Sequence, residues 1–173
     1  MKRPAPLPAE QRVETMDQEE RDLLKHLLTE QRIASLAVLV EGKPFASMVP
    51  FALTEDGSAA LIHASAMARH SVGLQADAPF ALLIHEHDSM ADKNPAQLGR
   101  ITLEGIVYPL SREEPAYASG QHAYLEKFPK SQITFQLGDF TLYELRIEGA
   151  RLVAGFAKTF DLTPQDIADL TAP

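Results

Sequence analysis

Ile33-Ala34-Ser35-Leu36-Ala37-Val38-Leu39-Val40, then Glu41-Gly42-Lys43-Pro44, then Phe45-Ala46-Ser47-Met48-Val49-Pro50-Phe51-Ala52-Leu53-Thr54: the reading of this stretch decides the fold. Two runs rich in apolar and β-branched residues flank a short cluster of turn formers, which is the pattern of a β-hairpin. Glu55-Asp56-Gly57-Ser58 closes the second run, and Ala59 to Ser65 reads as a third strand. Pro50 has no N–H to give a ladder. The second strand therefore has an edge, a bulge or a ligand near that point.

Working outward, residues 1–14 are polar and carry Pro4, Pro6 and Pro8, and read as a flexible arm. Thr15 and Gln18 have capping-box spacing. The helix they would open places Leu23, Leu24, Leu27 and Leu28 on one face and ends near Gln31. Beyond Ser65 a short helix is expected over 68–76 and a strand over 80–85. A polar loop then leads to a strand over 100–110, with Ile101, Leu103, Gly105 and Val107 on one side. Ser111 and Glu114 repeat the capping spacing before a helical region that Pro129 stops. Strands over 140–147 and 151–156, separated by a Glu148-Gly149 turn, precede a last helix opened by Thr163-Pro164. Turns at this spacing favour an antiparallel barrel over a parallel sheet with crossover helices. The fold class is mainly β with flanking helices (α+β), as one domain over 15–173. No internal repeat is visible.

Composition narrows the function. The chain has 173 residues, 45% of them apolar, and a formal net charge of −8 from 24 acidic and 16 basic residues. No run of Lys and Arg offsets that charge, so nucleic acid and anionic lipid surfaces are poor partners. Without cysteine there are no disulfides, thiolate metal sites or cysteine nucleophiles. No segment approaches the ~18 apolar residues of a membrane span, and the N-terminus is not a secretory signal. A soluble, cytoplasmic protein is expected.

The chemistry lies in His63-Ala64-Ser65-Ala66-Met67-Ala68-Arg69-His70-Ser71, where a strand runs into the short helix. A helix N-terminus offers free N–H groups and partial positive charge. Ser65 and Ser71 add hydroxyls, Arg69 a planar fork suited to phosphate oxygens, and His70 another donor. The cluster suits a phosphate. It also suits an ordinary cap with Arg69 and His70 in solvent. Residue types alone leave both readings open.

The order Phe45 to Phe51, a Gly turn, Leu61-Ile62-His63-Ala64-Ser65, Arg69-His70, Asp77-Ala78-Pro79 and Arg100 to Gly105 resembles the FMN-binding split-barrel family. That family is related to the pyridoxamine-phosphate oxidases, and the closest resemblance is to its haem-utilisation branch. The ending Arg151-Leu152-Val153-Ala154-Gly155-Phe156 is similar to that branch too. The resemblance implies an antiparallel split β-barrel and a homodimer with flavin mononucleotide (FMN) between subunits. It implies backbone contacts to the flavin ring from Ser47, Met48, Val49 and Pro50. It implies that His63, Ala64, Ser65, Arg69 and His70 hold the phosphate and ribityl chain. The oxidases' terminal Arg-x-His pair and Arg-Leu-x-Pro tail are missing, so vitamin B6 synthesis is not implied. Haem-degrading relatives use a C-terminal histidine on iron, whereas the last histidine here is His122.

Other clusters carry less. His85-Glu86-His87-Asp88 offers two imidazoles on one strand face, but no third spaced ligand is evident, and no metal site is assigned. A Gly-x-Ser-x-Gly elbow is absent. Lys158 is the candidate cation for the flavin N1 and C2 carbonyl, with a solvated surface lysine as the alternative. Leu36, Val38, Val49, Leu103 and Val107 supply more apolar strand face than one small barrel needs, which also suggests a homodimer. A flavin-dependent oxidoreductase is the leading expectation. The others are a binding module for FMN or haem without turnover, and an empty structural barrel.

Overall fold

A computed structural model of the chain describes residues 16–89, 94–155 and 158–171. The arm expected over 1–14, Thr15 and Phe156 lie outside the described residues.

Helix α1 (Gln18–Thr29) opens on a capping box. Asp17 accepts from the Glu20 N–H at 3.0 Å, and Glu20 accepts from the Asp17 N–H at 2.8 Å. The box therefore sits at 17 and 20, where both partners are carboxylates at the positive end of the helix dipole. Leu24, Leu27 and Leu28 are fully buried against the barrel.

Strands β1 (Ile33–Val40) and β2 (Lys43–Pro50) pair antiparallel with Val40 opposite Lys43. The loop is thus only Glu41-Gly42, both at positive φ (53° and 73°), the geometry of a tight hairpin whose twist matches its strands. The second strand expected over 45–54 is broken. β2 ends at Pro50, Phe51 is buried, and β3 (Ala52–Leu53) pairs instead with β4 (Ala59–Ser65). β5 (Pro79–His85), β6 (Arg100–Leu110) and helix α2 (Pro115–Lys127) follow. Pro129–Gln136 forms a 3₁₀ helix that the sequence reading left out.

The two strands expected over 140–147 and 151–156 are one, β7 (Phe140–Val153). Glu148-Gly149 is not a turn. Glu104 pairs with Gly149 and Gly105 with Ile147, so Glu148 is the extra residue of a β-bulge. A Cβ on Gly105 would lie 1.9 Å from the Arg146 carbonyl oxygen, so only glycine admits this approach. A further strand, β8 (Thr159–Leu162), pairs with β7 before helix α3 (Pro164–Thr171). The helix expected over 68–76 is a five-residue 3₁₀ helix, Arg69–Gly73, with no side-chain cap.

The sheet order is β2-β1-β5-β6-β7-β4-β3, antiparallel throughout, with β8 beside β7. Its two end strands are neighbours in sequence, joined through Phe51, so the sheet must curl on itself. That makes a barrel closed only in part. Leu36, Val38, Val49, Leu103 and Val107 all lie in the interior of this one barrel. The surplus of apolar faces expected from the sequence is therefore not there: alternation sends these residues inward together. On the outer face of β4 and β7, Leu61 and Leu142 pack under Tyr124, Phe128 and Phe135.

Candidate functional site

The barrel splits where two strands lack partners. Among the described residues β2 pairs only with β1, and β4 beyond Leu61 pairs only with β7. The unpaired edges of Ser47–Pro50 and of Ile62–Ser65 form the lips of this split, and the 3₁₀ helix Arg69–Gly73 packs across β1 and β2 beside it. Gly73 makes that packing possible, because a Cβ there would meet Val38 at 2.8 Å and the Leu39 carbonyl oxygen at 2.7 Å.

On the β2 lip, Phe45, Ser47 and Val49 alternate inward while Met48 faces solvent. Ser47 Oγ lies 2.9 Å from His70 Nδ1. Burial lowers the His70 pKa, so the imidazole is neutral at physiological pH. The Arg69 guanidinium lies 5.0 Å from the centre of the Phe45 ring. Arg69 is exposed, and among the described residues it has no carboxylate partner. An unneutralised guanidinium beside a neutral imidazole and a hydroxyl is a donor set for an anion.

Ser65 is used differently. Its hydroxyl donates to Asp139 Oδ2 at 2.6 Å and accepts from the Met67 N–H at 3.1 Å. Ser71 donates to the Ser65 carbonyl at 2.7 Å. Both hydroxyls hold the loop, and Asp139 brings a negative charge to that side. Ala64 is buried within β4.

His63 points to the outer face of β4. Its ring stacks on Phe135, with centroids 3.8 Å apart and planes 6° from parallel, and lies 5.0 Å from a tilted Phe140 ring and 6.0 Å from Tyr124 in a T-shaped arrangement. Thr134 donates its hydroxyl to the Ser131 carbonyl at 2.8 Å, so its oxygen can only accept from His63, 3.1 Å away. The proton therefore sits on Nδ1, and Nε2 presents a lone pair. Nε2 is buried and has no hydrogen-bond partner among the described residues. Burial, with the Arg112 guanidinium adding to it, pushes the His63 pKa down to about 4. Arg112 also donates to the carbonyls of Phe135 and Leu137 at 3.1 and 3.2 Å, tying the 3₁₀ helix Pro129–Gln136 over this ring.

Lys158 lies apart from these residues. It follows the far end of β7, on the order of 40 Å along that strand from Phe140, the partner of Ser65. It pairs with Glu20 at 2.7 Å and Asp17 at 3.4 Å, which raise its pKa. The structure thus brings Ser47 and His70 together with Arg69 on Phe45 beside them, sets His63 on the outer face of β4 and Ser65 against Asp139, and leaves Lys158 paired with Asp17 and Glu20 at the start of α1. Phe45 and Asp139 were missed in the sequence. The period-two alternation with Ser47 signals Phe45; nothing local signals that Asp139 meets a serine 74 residues away. Among the described residues no group of three His, Asp or Glu side chains converges on a metal position. None of their helices is long and apolar enough to cross a membrane.

No family model matches the chain. It is 35% identical over 120 residues to the chloroplastic non-canonical haem oxygenase HOZ of Arabidopsis thaliana, a match that covers 69% of this chain and 35% of that protein. The chain thus spans about a third of the length of this relative. A haem-binding protein from Mycobacterium smegmatis superimposes with a TM-score of 0.76 at 24% identity, over 90% of this chain and 62% of that one. An FAD- and haem-binding protein from the same organism gives 0.58 at 21%, over 90% and 78%. The antiparallel split barrel expected from the sequence is the fold they share.

Proposed function

Proceeding from the split barrel this chain shares with haem-binding and flavin-binding proteins, we propose that it is an FMN-binding flavoprotein, a single domain over 15–173 that acts as a cytoplasmic homodimer and flavin-dependent oxidoreductase. The observation that carries this reading is Arg69, an exposed guanidinium with no carboxylate partner among the described residues, next to the Ser47–His70 pair. A protein of net charge −8 repels a phosphomonoester unless a local donor offsets that charge. Arg69 meets this need, with His70 beside it. On the free edge of β2 the backbone N–H and C=O of Met48 point away from β1 and suit the polar rim of the flavin, whereas the hairpin register commits those of Ser47 and Val49 to Leu36 and Ala34. Pro50 limits that edge by lacking a donor. Ser65 supports the loop through Asp139 and is not assigned to the phosphate.

Bound FMN would supply hydride or single-electron transfer. The residues of this chain bind and orient it, and no side chain is assigned a proton-transfer role. Dimer formation is supported by the outer surface of β1 and β2. Ile33 (48% exposed), Leu39 (49%) and Met48 (63%) stand there beside Ala37 and Ala46, which face each other across the hairpin. The reading is tested by adding NADH or NADPH to FMN-loaded protein without oxygen. Bleaching of the flavin absorbance near 450 nm is expected without oxygen, and its return with consumption of many equivalents of NAD(P)H once oxygen is readmitted; a flavin that stays oxidised overturns the oxidoreductase role.

A second reading, haem binding without turnover, is favoured by the haem-binding proteins among the structural neighbours. With no cysteine in the chain, a thiolate axial ligand is excluded, which leaves imidazole, phenolate or thioether. The absorbance spectrum of the purified protein separates the two, since flavin and haem bands differ.

A further inference from the structure

Lys127 ends helix α2 with its ammonium nitrogen 4.2 Å from the centre of the fully buried Phe51 ring. It borders a cavity of about 260 Å³, walled by Leu28, Ala52, Leu53 and Ala123. The cavity meets a second recess that shares Thr29, Leu53 and Glu55 and reaches Thr171 on α3. Among the described residues, Lys127 Nζ has no hydrogen bond and no carboxylate within ion-pair distance. A lysine set half-buried in this cavity, without a hydrogen bond or ion pair among the described residues, has lost much of its hydration and gained in exchange only the face of the Phe51 ring and the more distant charge of Glu30.

We propose that Lys127 is a nucleophilic amine that captures small uncharged aldehydes as imines in this groove between α1, β3 and α2. The volume falls below the ~300–1,000 Å³ of drug-sized sites, so the ligand is small. The walls favour an alkyl chain. Glu55 and Glu126 line the same cavity and disfavour anions. In the reaction the Nζ lone pair forms a bond to the carbonyl carbon. The carbonyl oxygen leaves as water with the two amine hydrogens, and nothing is oxidised or reduced. The step needs neutral amine. Burial pushes the Lys127 pKa down to about 8, Glu30 opposing and the Arg32 guanidinium reinforcing the shift. At pH 7 that leaves ~10% of the amine neutral, against ~0.03% for an ordinary lysine. This inference stands independently of the flavin reading.

The experiment exposes the full chain to hexanal at pH 7 with cyanoborohydride to fix the imine, and maps the alkylated peptides against time. Peptide mapping also resolves the α-amino group, whose ordinary pKa is close to 8. Lys127 should be labelled at least ~10-fold faster than Lys25, Lys43 and Lys130, with a rate that rises through a midpoint near pH 8. Lys127→Arg, which keeps a cation over Phe51, should abolish this fast phase and leave the slow labelling intact. Labelling of Lys127 no faster than the other lysines, a midpoint above pH 10, or faster capture of anionic glyoxylate than of hexanal would each overturn the proposal.

Discussion

At the scale of single residues, the site separates into side chains free to act and side chains committed to the fold. Ser65 and Ser71 looked alike to Arg69 in the sequence, because a hydroxyl at a strand end reads as a donor whatever it later meets. Their partners, Asp139 Oδ2 and the Ser65 carbonyl, are fixed by the tertiary structure. Lys158 was likewise unreadable, since its partners Asp17 and Glu20 lie 141 and 138 residues away in the chain. His63 carries a consequence for pH. Its folded-state pKa, about 4, lies below the ordinary 6.5. The folded protein therefore binds fewer protons than the unfolded chain in this interval. The stability His63 contributes is complete above about pH 6.5 and is lost as pH falls toward 4. The midpoint of urea unfolding should drop between pH 7.5 and 5.0, and His63→Gln should drop less, because glutamine does not titrate. Parallel pH profiles for the two proteins would remove His63 from this role.

At the scale of elements, strands were more legible than helices and bulges. β4 and β6 have the bounds the sequence suggests: β6 alternates buried with more exposed residues along most of its length, and β4 is an almost continuous buried run. The helix expected over 68–76 shortened to the five-residue 3₁₀ helix Arg69–Gly73, whose last residue packs directly on Val38 and Leu39 of β1. β7 was misread because Glu148-Gly149 has turn chemistry, yet Gly105 on the neighbouring strand lets the chain pass straight through with a bulge. That contact is testable. Gly105→Ala would drive a methyl into the Arg146 carbonyl, and overpacking of this kind costs about 1–3 kcal/mol or more. The expected result is a lowered urea midpoint at unchanged m-value. An alanine variant as stable as the wild type would show that β6 and β7 do not approach as described.

At the scale of the whole molecule, an antiparallel barrel was legible in the hairpin spacing and its split form in the family resemblance, whereas the break at Phe51 that joins the two ends of the sheet was not, because Phe45 to Thr54 reads as one strand. The basis for a dimer was not: the residues first suggesting it fill the barrel interior, and the apolar surface that remains is the outer face of β1 and β2. Light scattering at micromolar concentration should give twice the chain mass of 19.0 kDa, and Met48→Glu should halve it without loss of circular dichroism. A monomeric wild type would take away a flavin shared between subunits. The phosphate held at Arg69 is what distinguishes an FMN protein from a bare barrel, so the deciding measurement is a fluorescence titration of the purified protein and its Arg69→Ala variant with FMN and riboflavin. A hydrogen bond to a charged group contributes ~1.5–3 kcal/mol, so FMN should bind the wild type roughly 10- to 100-fold more tightly than riboflavin, and Arg69→Ala should erase most of that difference while riboflavin affinity stays the same. Equal affinity for FMN and riboflavin in the wild type, or an FMN affinity untouched by Arg69→Ala, would contradict it.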